Sequence, residues 1–389
     1  MIYTERSSIK KNLQAIKNTP TYFKNLDGLR FLCFLMIFLY HSFYTEYDYI
    51  KNNELYVFLT RKVMGNGNLG VNFFFVLSGF LITYLLINER NKFNKIHIGS
   101  FWIRRILRIW PVYFICVAFG FIAFPYLKLL LGQTPSETAN PWMYISFLSN
   151  FDIIRHGLPD SSVLGVLWSI SIEEQFYLLW PILLLFIPIR YYWILFSGII
   201  IGTIIFRVNF DTYMIHEYHT FSCIGDMAVG AFGSWLIITK PKFQQKITPS
   251  LLLPSVLLWS IFIFYFFFRD EYIAPIYPLR IIERFLFGIL ALAIILDLNY
   301  NPKTLIQFGR YKFISYLGRI SYGLYAYHFI AILSVTTLTR ILGLSTSIWS
   351  VLFLDTILAF ILTVIIAHFS YIIIEKPFLK LKTKFAFSS

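Results

Sequence analysis

Arg30 and His41 stand eleven positions apart in one apolar run, LDGLRFLCFLMIFLYH. At about 100° per residue, eleven steps bring a helix back to within about 20° of its starting face, after a rise of roughly 16 Å. The two side chains therefore look the same way from one helix, and Asp27, one turn before Arg30, can orient the guanidinium. An imidazole in such a run suits general-base chemistry, because its proton affinity lies near neutrality. A satisfied polar residue at a helix contact is the alternative for His41, and a positively charged anchor is the alternative for Arg30.

Arg104, Arg105 and Arg108 form a second group in FWIRRILRIWPVY. Spacings of three and four residues converge near one helix face. Three guanidiniums at one place can hold phosphates through bidentate, charge-assisted hydrogen bonds, which points to a cytosolic phosphorylated cosubstrate. An anionic lipid headgroup site is the competing reading. The third group is WSISIEEQFYLLWP, Trp168 to Pro181. Glu173, Glu174 and Gln175 are poor lipid-facing choices. A carboxylate there can hold the productive tautomer of His41 or receive a sugar hydroxyl, with Trp168 and Tyr177 as stacking surface. A solvated first turn that uses the helix dipole explains the same charges.

The elements that must position these groups follow from composition. The 389-residue chain is 57% hydrophobic and 20% aromatic with 14% charged residues, too apolar for a soluble protein of this length. Ten segments are long enough to span a bilayer, about 28–46, 69–88, 110–131, 168–188, 191–208, 221–238, 251–268, 280–298, 320–339 and 347–374. The run 142–150 is too short, and Pro135, Pro141 and Pro159 around it indicate an interfacial or re-entrant piece. With the amino terminus inside, 24 of the 34 Lys and Arg residues fall on the inner side, so the positive-inside rule places both termini in the cytoplasm. The net charge of +14 is thereby mostly orientation and does not indicate nucleic acid. Cys33, Cys116 and Cys223 lie singly in apolar stretches and form neither a disulfide framework nor a zinc site. The run that begins at Leu29 has no small-residue cleavage site after it, so it reads as a retained first span.

Fewer inferences attach to the other polar positions. Ser78 and Gly79 in GVNFFFVLSGFLI indicate close helix approach. His328 reads as packing or as support for other groups. Asp226, Glu283, Arg284, Asp297, Asp355 and His368 are weaker candidates, with Glu283 and Arg284 fitting the outer interface.

LDGLRFLCFLMIFLYH, GVNFFFVLSGFLI, RRILRIWPVY, WSISIEEQFYLLWP, LGRISYGLYAYH and SYIIIEKPFLKL follow one another in order along nearly the whole chain. In that combination the sequence resembles the acyltransferase-3 family of bacterial integral-membrane O-acyltransferases. The resemblance implies an all-α polytopic membrane protein in the bacterial cytoplasmic (inner) membrane. Its parts would be a cytoplasmic segment 1–27, a membrane domain 28–374 and a basic cytoplasmic tail 375–389. It implies that Arg30 and His41 are the essential pair and that Arg105 and Arg108 form the family's paired-arginine element. The family often has Asp where this chain has Asn72, so no carboxylate acts there. Some members carry an extracytoplasmic hydrolase-like domain, which is expected to be missing here. The membrane domain is then either self-sufficient or served by a separate glycan-assembly protein.

The expected reaction moves an acyl group, acetyl above all, from acyl-CoA held by Arg105 and Arg108, with Arg104 and Arg30 as further contacts. His41 serves as general base, or carries the acyl group covalently, and Glu173 acts beside it. The acceptor is a hydroxyl of a lipid-linked or surface carbohydrate such as lipopolysaccharide, contacted by Trp168, Glu174 and Tyr177, with no metal required. The rival from another class is a transporter or flippase of a glycan or small anion, since buried His, Arg and Glu also suit a coupled carrier.

Overall fold

The computed structural model describes residues 22–243 and 252–382. The terminal residues 1–21 and 383–389, on which the inside-terminus expectation partly rests, and Lys246 lie outside the described residues. Among the described residues all regular structure is helical. Eight helices are long and apolar enough to cross a membrane: Leu69–Phe93 (α2), Ile98–Leu130 (α3), Ser162–Phe186 (α4), Ile189–Asn209 (α5), Thr220–Thr239 (α6), Leu252–Tyr272 (α7), Ser321–Ile341 (α9) and Ser350–Leu381 (α10). Lys24–Ser42 (α1) and Tyr277–Tyr300 (α8) also have spanning length, at 19 and 24 residues. The chain is an all-α polytopic membrane protein. Residues 142–150 do not span: short helices Pro141–Ile145 and Ser149–His156 flank Phe147, whose φ is 56°.

Two helices begin well before the apolar runs that announce them. α3 starts at Ile98, so Arg104, Arg105 and Arg108 lie on its second and third turns. Glu89, near the end of α2, ties that start in place. It accepts from the backbone N–H of His97 at 2.8 Å and from Arg104 at 3.5 Å. The turn between them passes through Asn94 at φ 54°, a left-handed position that Asn tolerates. α4 starts at Ser162, so the carboxylates expected at its outer end sit near its middle. Glu173 is about 16 Å along the helix from that start. The Trp180 indole donates to Thr83 at 2.8 Å and locks α4 against α2.

Small residues let the backbones close on one another, since helices in lipid associate by packing more than by the hydrophobic effect. A Cβ on Gly79 would collide with the carbonyl of Met227, and one on Gly230 with the carbonyl of Val76, so α2 and α6 are in backbone contact. Gly318 does the same for the short helix Lys312–Arg319, which rests on the backbone at Asp27 of α1. Glu283 and Arg284 are buried, unlike the interfacial placement expected for them. Arg284 pairs with Asp226 at 2.7 Å, while Arg207 and Arg269 pair with Glu283 at 3.3 and 3.0 Å. This network joins α5, α6, α7 and α8. Cys33, Cys116 and Cys223 are buried and free, as their isolation indicated.

Gly79→Val should force α2 off α6, at a cost of about 1–3 kcal/mol or more from overpacking. The expected outcome is a lower Tm and loss of the monodisperse peak in detergent-solubilised size-exclusion chromatography, with Gly99→Val, which meets nothing within 4 Å, as the silent control.

Candidate active site

A cavity of about 550 Å³ opens among α1, α2, α3, α4, α9 and α10. That lies within the range of small-molecule and cofactor sites, roughly 300–1,000 Å³. Tyr22 just before the first helix, Asp27 within it, and Glu375 and Leu379 from the last helix line the same cavity, so the described ends of the chain share one end of the bundle.

Four guanidiniums line the cavity, Arg30, Arg105, Arg108 and Arg319, against three carboxylates, Asp27, Glu173 and Glu375. Among the described residues one of the four arginines is in an ion pair. Arg30 bonds Asp27 at 2.9 Å, as the one-turn spacing predicts, and Asp27 also accepts from the Tyr22 hydroxyl. The Glu173 carboxylate is held by hydroxyls: Ser78 donates at 2.6 Å and Tyr177 at 3.1 Å. It is not in ion-pair contact with Arg105 or Arg108, neither of which has a carboxylate within ion-pair distance among the described residues. Arg105 instead lies over the rings of Phe101 and Tyr177, each 5.5 Å away, and its Nε is buried without a hydrogen-bond partner among the described residues. A buried N–H and two guanidiniums that form no ion pair among the described residues suit an anion that supplies oxygen acceptors.

His41 stands elsewhere. It is half-buried near the other end of α1, and its Nδ1 lies 3.0 Å from Nε2 of His328 on α9. Nδ1 of His328 in turn lies 2.5 Å from the carbonyl oxygen of Tyr325. The Tyr325 side chain lines the inner end of the cavity and bonds Ser169 at 2.7 Å. One helical turn of α9 thus separates the cavity from the histidine pair.

Of the residues singled out in the sequence, Arg30, Arg105, Arg108, Glu173 and Tyr177 come together around the cavity. Arg104 does not line it; it pairs with Glu89. Glu174 accepts from the Trp110 indole at 3.0 Å, and its other oxygen is buried without a hydrogen-bond partner among the described residues. Trp168 is buried against Phe75 and Tyr218. No contact joins Glu173 to His41, because the carboxylate is bound to Ser78 and Tyr177 on the arginine side. Sequence reasoning missed Arg319 and Glu375 at the cavity, although both sit inside quoted motifs, and it gave Ser78 only a packing role. It also left His328 unconnected to His41.

The match to the acyltransferase-domain family model runs over residues 23–371, most of the chain. The chain belongs to the acyltransferase-3 family. It is 29% identical over 92% of its length to the peptidoglycan O-acetyltransferase OatA of Listeria monocytogenes. It is 28% identical over 93% to the O-acetyltransferase OatA of Staphylococcus aureus, and 26% identical over 92% to the putative peptidoglycan O-acetyltransferase YrhL of Bacillus subtilis. These alignments span 56%, 58% and 55% of the respective relatives, so this acyltransferase-3 chain matches little more than half of each. No solved structure matches the chain significantly.

Unpaired guanidiniums should respond to a polyphosphate. Inorganic pyrophosphate is expected to raise the Tm of the purified protein, and the Arg105→Ala, Arg108→Ala double variant to lose that shift. Arg104→Ala, whose guanidinium faces Glu89, should keep it.

Proposed function

We propose that this chain is a membrane O-acetyltransferase that takes an acetyl group from acetyl-CoA on the cytoplasmic side and delivers it to a hydroxyl of a cell-wall or other surface carbohydrate. The observation that carries the reading is the cavity in which Arg105 and Arg108 form no ion pair among the described residues, one helical turn from the histidine pair, in a chain of this family. The names of the relatives supply the acetyl group and the carbohydrate class.

In this scheme the donor enters from the cytoplasmic end, and the phosphates of the coenzyme lie against Arg105 and Arg108, with Arg319 at the mouth. The pantetheine arm runs along the apolar wall toward His41, roughly 16 Å beyond Arg30 on the same helix face. The carbohydrate approaches from the opposite side of the membrane. His41 takes the proton of the acceptor hydroxyl while its oxygen attacks the thioester carbonyl. The C–S bond then breaks, the coenzyme leaves as thiolate, and the proton held by His41 returns to it as the free thiol. Asp27 keeps Arg30 extended toward the donor, and Glu173 fixes the Ser78 and Tyr177 hydroxyls beside Arg105. Trp168 and Glu174 have no direct part in this scheme. The setting is the cytoplasmic membrane of a bacterium.

The reading is tested with inverted membrane vesicles supplied with acetyl-CoA and a glycan acceptor, measuring free thiol and acetylated product. Wild-type protein should release thiol in step with product. His41→Ala should lower the rate on the order of 10²–10⁴-fold, the usual contribution of a general base. Full transfer by His41→Ala would remove the histidine from the reaction, and substrate flux without thiol release would make the protein a carrier.

A further inference from the structure

The hydrogen-bond chain through His41, His328 and Tyr325 has a direction set by its last member. The Tyr325 carbonyl oxygen can only accept, so Nδ1 of His328, 2.5 Å away, carries the proton. A neutral His328 then presents a bare lone pair at Nε2. The atom 3.0 Å from that lone pair is Nδ1 of His41, which must therefore be the donor. A neutral His41 with its proton on Nδ1 has Nε2 unprotonated, and Nε2 has no hydrogen-bond partner among the described residues.

We propose that His328 is a positioning residue for acyl transfer: by accepting from Nδ1 of His41 it fixes the tautomer in which Nε2 of His41 is the base. The proposal rests on the reading of His41 as general base. The task is the one that an aspartate performs in serine-hydrolase triads, where loss of the carboxylate leaves the imidazole in the wrong tautomer. Here the partner is neutral, and the surroundings say why. His328 is fully buried among the rings of Phe34, Tyr325 and Phe329, and no carboxylate forms an ion pair with either imidazole among the described residues. A carboxylate at this depth would pay a desolvation cost that a neutral ring avoids.

The same chain accommodates the charge that forms during the reaction. When Nε2 of His41 accepts the acceptor hydroxyl's proton, the ring becomes a cation whose Nδ1–H still points at the lone pair of His328. The bond becomes charge-assisted and strengthens. His328 in turn is polarised through its own N–H toward the Tyr325 carbonyl. No net proton leaves the pair, since the one taken at Nε2 returns to the coenzyme thiolate. The ring centroids stand 5.2 Å apart, and the Phe329 ring, 4.7 Å from His41 and 4.6 Å from His328, fills the space beside both.

The test combines kinetics with a direct view of the tautomer. In nitrogen-15 spectra of histidine-labelled wild-type protein, the His41 signals, assigned by their loss in His41→Ala, should show a protonated Nδ1 and an unprotonated Nε2. His328→Phe, which keeps an aromatic ring and removes the acceptor, should lower kcat on the order of 10²-fold or more with the KM for acetyl-CoA unchanged. His328→Gln, whose side-chain carbonyl can accept from Nδ1, should recover much of that rate and keep the Nδ1-protonated signal. A wild-type His41 protonated on Nε2 would overturn the proposal, as would a His328→Phe protein that loses the tautomer and still turns over normally. Full turnover in His41→Ala would instead defeat the base reading, while the wild-type spectrum still decides the pairing on its own.

Discussion

Positive charge left without a counter-ion inside a membrane protein is the constraint around which this fold is arranged. Among the charged groups buried between α5 and α8, every arginine meets a carboxylate: Arg284 with Asp226, Arg207 and Arg269 with Glu283. At the cavity the bookkeeping differs. Glu173 is bound by two hydroxyls, and Arg105 and Arg108 have no carboxylate within ion-pair distance among the described residues. Truly unpaired charges away from water are expensive, so such an arrangement persists only where water or an anionic ligand completes it. The contrast between the closed network and the open cavity distinguishes scaffold from site within one bundle.

Geometry then turns one helix into a measure of distance. α1 places Arg30 at the cavity and His41 some 16 Å farther on the same face. The glycine contacts of α2 with α6, and of the Lys312–Arg319 helix with α1, hold the surrounding helices close enough for Ser78, Glu173 and Arg105 to meet. The Pro111 ring in α3, just beyond Arg108, removes one backbone hydrogen bond from that helix without breaking it. Backbone proximity in lipid thus supports the polar constellation directly.

Much of this was legible in the sequence because it is local. Hydropathy gives the ten long helices, and the eleven-residue step from Arg30 to His41, the three-residue step from Asp27 to Arg30, and the pair Arg105 and Arg108 are helix periodicities. What failed were statements about depth and about partners distant in the chain. The apolar run after Arg108 hid that α3 starts at Ile98, because three arginines interrupt the apolar pattern before Ile109 and one of them, Arg104, is held by Glu89 of the preceding helix. The carboxylates of WSISIEEQFYLLWP looked like a helix end, whereas α4 extends back to Ser162 and carries Glu173 to the arginines. The His41–His328 contact joins residues 287 positions apart, and no periodicity within one helix can encode it. Arg319 and Glu375 reach the cavity for a similar reason, through the packing of the last helices against the first.

The central claim, that the open arginines hold the phosphates of a donor whose thioester reaches His41, is tested most directly by an experimental structure of the protein in lipid with acetyl-CoA bound. The expected density has phosphate oxygens within hydrogen-bond distance of Arg105 and Arg108, with the pantetheine arm passing Tyr325 and the thioester beside Nε2 of His41. A lipid headgroup occupying those arginines at saturating acetyl-CoA, or a coenzyme bound with its thioester away from the histidine pair, would contradict it.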